Sequence, residues 1–276
     1  MTAVTSSFPV RRQDFEFDEV PRHWVANDPF MTHLFNALSA LFPDGERFFV
    51  ASVRAVREKI EDPQLQKDIG AFIGQEAMHA KEHGNFNAGA IKEGFDIPRL
   101  EGWTRKFLAV AELPFFKNDK VHLAATVALE HFTGILSAQL LKREDLVEQI
   151  DPSMRDLWAW HCIEENEHKA VAFDTFEKIY GKDVASYALR MGIMALATAL
   201  IMVAIHAFVI ELMREDKQLT NIKSWAKGLN SLWGRRGIFS AIVPEYLDYF
   251  KPSFHPWDHD TNLLLARWRK KTGMQS

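Results

Sequence analysis

Apolar residues recur three and four positions apart along most of this 276-residue chain, a spacing that predicts α-helices rather than strands. Glycine and proline are sparse and divide the pattern into segments. The predicted helices cover residues 31–41, 44–60, 63–91, 100–115, 119–142, 152–180 and 183–214, with shorter helices after them. Pro43 is expected to end the first helix and Asp44 to cap the second. Roughly the first thirty residues are predicted to be disordered or loosely docked, as polar termini usually are.

Two copies of a Glu-x-x-His motif stand on predicted helices. Glu76 and His79 form the first copy, and Glu165 and His168 form the second. Side chains three positions apart project from one face of a helix, so a carboxylate and an imidazole at this spacing can bind the same metal ion. A single copy of so short a motif also arises by chance on a solvated helix face. Two copies in similar surroundings favour a metal site.

Each motif follows a glutamate in an apolar setting, one predicted helix upstream. Glu46 lies thirty residues before Glu76, and Glu130 lies thirty-five residues before Glu165. Buried carboxylates are rare unless they are paired or bind a metal. The alternative is a set of buried ion pairs, but few basic residues share these helix faces. A Glu from each of two helices and Glu-x-x-His from two others is the ligand plan of a dinuclear centre, so residues 30–180 are predicted to form a metal-binding bundle.

Further ionisable residues lie close to the two motifs. His161 is one turn before the second motif and on the same helix face, which makes it a candidate seventh metal ligand; the alternative is a histidine with satisfied hydrogen bonds on that face. His83 is expected to support the ligands by hydrogen bonding rather than to bind metal. His131 and Glu164 are assigned a similar supporting role outside the ligand set, and Glu167 is expected to face solvent.

Composition narrows the range of functions. The net charge is −4, from 33 basic and 37 acidic residues without a long basic run, so no nucleic-acid partner is predicted. The single cysteine, Cys162, excludes an internal disulfide and argues against a cysteine-based zinc site. The N-terminal residues lack the apolar stretch of a secretory signal, and with the cysteine content this predicts a cytoplasmic location. The 21 Phe and 8 Trp residues suit an apolar substrate cavity.

The segment Met191–Ile210 contains twenty residues without a formal charge, a length that can span a bilayer. The alternatives are a helix packed against the bundle, a helix in the interface of a homodimer, and a peripheral membrane contact. Thr198, His206 and the many small alanines favour packing. The aromatic and basic residues that follow, among them Trp233 and Arg235, would suit a membrane surface.

With these residues in place, the chain resembles the ferritin-like di-iron carboxylate superfamily. Within it, the segments GQEAMHAKEH, HCIEENEHKAVAFD and FKPSFHPWDHDT are most similar to a bacterial family named predicted metal-dependent hydrolase. His161 is similar to the third histidine of arylamine N-oxygenases, although Gln75 stands where many of those relatives carry an aspartate. The resemblance implies an all-α protein: a ferritin-like four-helix bundle with additional C-terminal helices over 181–276, in a single domain 1–276.

The resemblance also implies roles and a reaction. Glu76 and Glu165 would bridge two metal ions, with Glu46 and Glu130 as terminal ligands. Carboxylates and imidazoles favour iron, with manganese as the alternative. We expect an oxygen-activating oxidase or oxygenase that takes dioxygen and a small apolar organic substrate. Two alternatives stay open: a metal-dependent hydrolase that uses a metal-bridged water, and a non-catalytic metal-binding or storage protein.

Overall fold

The computed structural model describes residues 7–17 and 20–274, and none of these residues lies in a β-strand. The α-helices are α1 Pro29–Val56, α2 Pro63–Lys92, α3 Ile97–Leu108, α4 Asp119–Lys142, α5 Glu144–Val147, α6 Pro152–His168, α7 Val171–Tyr180, α8 Val184–Glu215, α9 Ile222–Trp233, α10 Ile238–Asp248 and α11 Asn262–Thr272. Short 3-10 helices cover Arg57–Lys59, Ala109–Glu112 and Pro256–Asp258. The all-α prediction is confirmed. The ferritin-like bundle and the single domain stay predictions.

The helices that carry the candidate site have starts set by local sequence. Asp28, Asp62 and Asp151 precede α1, α2 and α6, and each accepts a hydrogen bond from a backbone N–H of the first turn. A proline follows each of them, at a position where a helix has no use for the missing N–H. Asn118 caps α4 by accepting a hydrogen bond from the backbone N–H of Val121, without a proline after it. These caps set where each helix begins, and the helical repeat then decides which residues face inward.

A polar layer separates two apolar clusters inside the protein. Helix α1 packs against α2 and α4, and α6 packs against both α2 and α4. Each of α1, α2 and α4 contributes residues to both clusters, on either side of the site. One such pair on each helix is Leu38 and Phe49 on α1, Ile73 and Phe86 on α2, and Val127 and Phe132 on α4. Glu46, His79 and Glu130 lie between the members of these pairs along their helices. The candidate site is therefore enclosed above and below by apolar core.

The predicted break at Pro43 is wrong, because α1 continues through it. A proline inside a helix removes one hydrogen bond and costs about 3 kcal/mol. Apolar residues on both sides of Pro43, such as Leu38 and Phe49, are buried in the two clusters, and burial of each contributes about 1.5–3 kcal/mol. Asp44 does not cap a helix. It instead forms ion pairs with Arg47 at 2.8 Å and Arg105 at 3.0 Å.

The structure also differs from the prediction of one helix over residues 152–180. Helix α6 ends at His168 and α7 begins at Val171. At the break, the Lys169 ammonium donates hydrogen bonds to the carbonyl of His259 and the hydroxyl of Thr261. These partners are about ninety residues away in the chain, so the helical pattern gave no sign of them. The helix predicted over 100–115 likewise ends early, and a 3-10 turn follows it.

The N-terminal lead is docked rather than loose over its described residues. Phe8, Trp24 and Val25 are buried, and Pro9 accepts a hydrogen bond from Gln75 of α2. The prediction of disorder was wrong here because a few anchoring side chains outweigh the polar composition of the segment. For residues 1–6 and 18–19 the prediction lies outside the described residues.

Helices α4 and α8 are each long and apolar enough to cross a membrane by length and composition. In the most apolar window of α4, 78% of the residues are buried, against 33% in α8. Helix α8 packs on α1 and α4 through residues such as Ile205 and Phe208, whereas Leu196 and Val203 are exposed. The sequence favoured packing of Met191–Ile210 against the bundle. The structure shows such packing on one face of the helix and exposure on the other.

Candidate metal centre

The structure brings all seven candidate ligands together as two groups of buried side chains. Glu46, His79 and His161 form one group, in which one ligand atom from each residue lies within 4.8 Å of the others. The second group meets the same limit and consists of Glu76, Glu165 and His168. Glu130 joins the second group, since its Oε2 is 3.4 Å from Nε2 of His168.

Two carboxylates of the second group, Glu76 and Glu165, also lie close to the first group. Oε1 of Glu165 is 3.5 Å from Nδ1 of His79, 3.6 Å from Nε2 of His161 and 3.5 Å from Nε2 of His168. Oε1 of Glu76 is 3.8 Å from Nδ1 of His79 and 3.1 Å from Nε2 of His168. Glu76 and Glu165 therefore lie close to histidines of both groups.

Three of the buried carboxylates accept no hydrogen bond from the described residues. Neither oxygen of Glu46, Glu76 or Glu130 has a hydrogen-bond partner in the described structure. Burial, and then the charge of Glu76, raise the pKa of both Glu46 and Glu130 well above the ordinary range. Buried carboxylates without hydrogen bonds cost several kcal/mol each unless something compensates them. Divalent cations would supply both the missing contacts to the carboxylate oxygens and the missing positive charge, so metal ions fit this site.

The residues just before the two motifs orient the histidines of the opposite helix. Oε2 of Glu164 is 3.2 Å from Nε2 of His79, which leaves Nδ1 of His79 directed at the centre. Oε1 of Gln75 is 2.8 Å from Nδ1 of His168, which leaves Nε2 directed at the centre. A fixed partner on one ring nitrogen sets the tautomer and holds the other nitrogen in place for a metal. Each motif thus orients the histidine of the other.

Two arginines form ion pairs with Glu164 and Glu167, and the sequence predicted a role for neither arginine. Arg11 forms ion pairs with Glu164 at 3.0 Å and with Glu167 at 2.8 Å. Arg269 pairs with Glu167 at 2.6 Å, and Gln75 donates to the same carboxylate. Glu167 is therefore buried and paired, and the expectation that it faces solvent is wrong. The partners come from opposite ends of the chain, so no local pattern could have found them.

A chain of hydrogen bonds sets the tautomer of His161. The Ser39 hydroxyl donates to Asn87, so it can accept from Nδ1–H of His83. Nε2 of His83 then accepts from Nδ1–H of His161, at 3.1 Å. Burial, and then the positive charge of His79, lower the pKa of His161 to about 3, which keeps the ring neutral. Its Nε2 lone pair is left facing Glu165.

The structure does not bring His131 to the centre. Its Nε2 lies 3.2 Å from the carbonyl of Glu245, and its ring packs on Tyr249. Successive residues on a helix point about 100° apart, so His131 turns away where Glu130 turns inward.

A third group of metal-ligand side chains lies elsewhere and is satisfied within the protein. Asp216 accepts from His23 at 2.7 Å and from His33 at 2.9 Å, and Arg22 pairs with it at 2.8 Å. Its carboxylate therefore accepts hydrogen bonds of a kind that Glu46 and Glu130 do not accept from any described residue. This contrast separates a structural ion cluster from a site that needs a cation.

An apolar cavity of about 170 Å³ reaches the centre from the side of α3 and α8. Its polar side chains are Glu46, His161 and Glu165 of the centre, together with Thr104 and Thr133. Both threonine hydroxyls donate to backbone carbonyls of the protein. The cavity is therefore suited to an apolar molecule, with the candidate ligands at its inner end.

Comparison with known proteins adds a family to this geometry. No curated protein and no solved structure matches the chain. The family model described as predicted metal-dependent hydrolase matches residues 9–260, so the chain belongs to that family, as the sequence motifs indicated.

Proposed function

We propose that the protein is a hydrolase with a dinuclear metal centre that cleaves an ester or similar bond in an apolar substrate. Membership of the metal-dependent hydrolase family supports this alternative better than the oxygenase that we expected from the sequence. The observation that carries the proposal is the set of buried carboxylates, without hydrogen bonds from any described residue, at the inner end of an apolar cavity.

In this proposal Glu46, His79 and His161 hold one ion, and Glu130 and His168 hold the other. Glu76 and Glu165 lie between the two. Iron suits this set of carboxylate and imidazole ligands, and manganese is the alternative. Such ions, when bound, would lower the pKa of a water toward neutrality and so would supply a nucleophile for hydrolysis.

The protein's own residues have two further tasks in this proposal. The apolar cavity walls orient the substrate and keep bulk water away from the centre. Glu164 and Gln75 hold the histidines of the opposite helices in their ligating orientation. Because Arg11 pairs with Glu164, the N-terminal segment takes part in positioning His79.

One observation favours oxygenase chemistry as a second candidate. The leaving group of an ester needs a proton donor. Among the described residues that line the cavity, the only side chains with polar hydrogens outside the ligand set are Thr104 and Thr133, whose hydroxyls already donate to backbone carbonyls. Oxidation of an apolar substrate would not need such a donor, so both reactions should be measured.

The test begins with metal analysis of protein loaded with iron or manganese, where the proposal expects about two ions per chain. The loaded protein is then assayed on a panel of acyl esters and amides without dioxygen, and the reduced iron form is assayed for dioxygen uptake. Hydrolysis that needs metal but not dioxygen supports the proposal. Dioxygen uptake without hydrolysis favours the second candidate, and failure to bind metal removes both.

A matched pair of variants tests the ligand assignment. His161→Ala should lose about one of the two ions, because His161 faces the first group. His131→Ala removes another buried histidine, whose ring faces Glu245, and should keep both ions. Equal metal content in the two variants would remove His161 from the ligand set.

A further inference from the structure

The apolar cavity connects the candidate metal centre to the exposed face of α8. Leu196 lines the cavity and is 37% exposed, so the cavity reaches the surface at this residue. Val203 and Ile210 continue the same face, at 60% and 49% exposure. Residues seven positions apart lie on one side of a helix. These three residues form the α8 stripe, which begins at the mouth of the cavity.

A second exposed apolar stripe lies beside the first. Ile222, Leu229 and Trp233 share one face of α9 and are 79%, 43% and 47% exposed. The ring of Trp233 stacks on His206 of α8, with 6.1 Å between ring centroids, so the α9 stripe ends against α8. Large apolar side chains grouped in this way on a surface mark a contact with another molecule or with lipid.

The charge next to the two stripes is positive. Residues 217–243 contain no carboxylate and five basic residues, which are Lys217, Lys223, Lys227, Arg235 and Arg236. All five are exposed. The segment Met191–Ile210 has no formal charge. An apolar surface next to exposed cations, with a tryptophan at its border, has the chemistry that binds the interface of an anionic membrane.

We propose that the α8 and α9 stripes dock on an anionic lipid bilayer, and that the substrate is a lipid-soluble amphiphile that enters the cavity at Leu196. Helix α8 lies along the membrane surface rather than across it, because its other face is packed on α1 and α4. The route for the substrate rests on the proposed function of the metal centre. The docking surface is argued independently of the proposed function.

A second copy of the chain is a less suitable occupant for two reasons. In a two-fold interface the same patch meets itself, so the basic segment 217–243 would face its own copy. Like charges placed together across an interface cost several kcal/mol. A copy seated on the α8 stripe would also cover Leu196 and close the cavity, whereas a bilayer is itself a reservoir of apolar substrate.

Vesicle flotation of the full-length, metal-loaded protein tests the docking surface. The wild type should float with vesicles of phosphatidylcholine and phosphatidylglycerol and should be released by salt, since screening weakens attraction to anionic headgroups. The double variant Arg235→Gln/Arg236→Gln should bind these vesicles more weakly by about fivefold for each charge removed. Val203→Glu should abolish flotation. The matched control Leu263→Glu replaces an 87% exposed leucine on α11 and should float as the wild type does.

The outcomes separate docking from the proposed function. Lack of flotation by the wild type, or flotation that Val203→Glu leaves unchanged, overturns docking whatever the metal content. Light scattering that shows a dimer dissociated by Val203→Glu, without vesicle binding, also overturns it and makes the face an interface between copies. Flotation as expected in a protein that binds no metal leaves docking in place and removes the proposed function.

Enzyme assays test the route for the substrate. Val203 does not line the cavity. Val203→Glu should therefore slow hydrolysis of a long-chain ester embedded in vesicles and leave hydrolysis of a soluble short-chain ester unchanged. Equal loss with both esters would show that the substitution damages the centre and would contradict entry from the bilayer.

Discussion

The centre of this protein and the outer face of α8 depart in opposite directions from the usual distribution of polar and apolar side chains. At the centre, Glu46 and Glu130 are buried, and within the described part of the chain neither carboxylate has a hydrogen-bond partner. On α8, Val203 and Ile210 are exposed. Each arrangement costs free energy in the isolated chain. Both make sense if the compensating partner lies outside the chain, a cation in the first case and lipid in the second.

The Asp216 cluster shows what compensation within the chain looks like. Asp216 is buried, yet His23, His33 and Arg22 contact its carboxylate. A buried acid therefore does not by itself indicate an ion. The lack of hydrogen bonds from any described residue to Glu46 and Glu130 is the sign of an ion, and the comparison can be tested on that point.

Removing metal should have the largest effect on stability. Metal at about 1,000 times its dissociation constant should add about 4 kcal/mol to the free energy of unfolding, since it binds only the folded centre. Glu130→Gln should add on the order of 1 kcal/mol to the free energy of unfolding of the metal-free protein near neutral pH, because it removes a buried carboxyl whose raised pKa costs stability there. Urea unfolding with and without chelator measures both. If the loaded and chelated proteins unfold at the same urea concentration, the centre needs no cation.

Arg11→Ala should have the next largest effect. Arg11 pairs with Glu164 and Glu167, both buried, and removing one partner from a buried ion pair costs about 3–5 kcal/mol. Arg12→Ala is the matched control, because Arg12 is the exposed neighbour and surface changes usually stay within about 0.5 kcal/mol. Equal free energies of unfolding for the two variants would show that the N-terminal segment does not stabilise the centre.

The sequence predicted the parts of this site that depend on local spacing. Glu76 with His79, and Glu165 with His168, are three apart on helices, and helical geometry places each pair on one face whatever the rest of the chain does. Arg11 lies 153 residues from Glu164. No periodicity reports a contact of that range, and the polar lead that carries Arg11 has the composition of a loose terminus.

The fold shows the same limit. Caps and breakers placed the ends of α2 and α4 within one residue, because those signals act within one turn. The break predicted at Pro43 was wrong because tertiary packing on both sides of the proline outweighs the free-energy cost of a proline inside a helix. The exposed face of α8 could not be foreseen from its composition, since a uniformly apolar helix gives no sign of which side is covered.

Gln75→Ala should have an intermediate effect, on metal binding more than on folding. Gln75 orients His168 through its side-chain oxygen, and loss of such a partner typically lowers metal affinity or activity by about 10–100-fold. Titration with metal, followed by calorimetry, measures the change. Gln75→Glu keeps an acceptor for His168 and should retain more affinity than Gln75→Ala. If the two variants bind metal equally weakly, hydrogen bonding to His168 is not the reason.

The smallest effect should come from Val203→Ala on α8, a helix that carries both a buried and an exposed apolar face. Val209 is 3% exposed and Val203 is 60% exposed. Val209→Ala should lower the free energy of unfolding by about 2 kcal/mol, because two buried methyl groups and their packing are lost. Val203→Ala should change it by less than about 0.5 kcal/mol in solution, as exposed positions do. Thermal or urea unfolding without lipid measures both variants under the same conditions. A cost at Val203 equal to that at Val209 would mean that Val203 is covered in solution. Its partner would then be another copy of the chain, and not a bilayer.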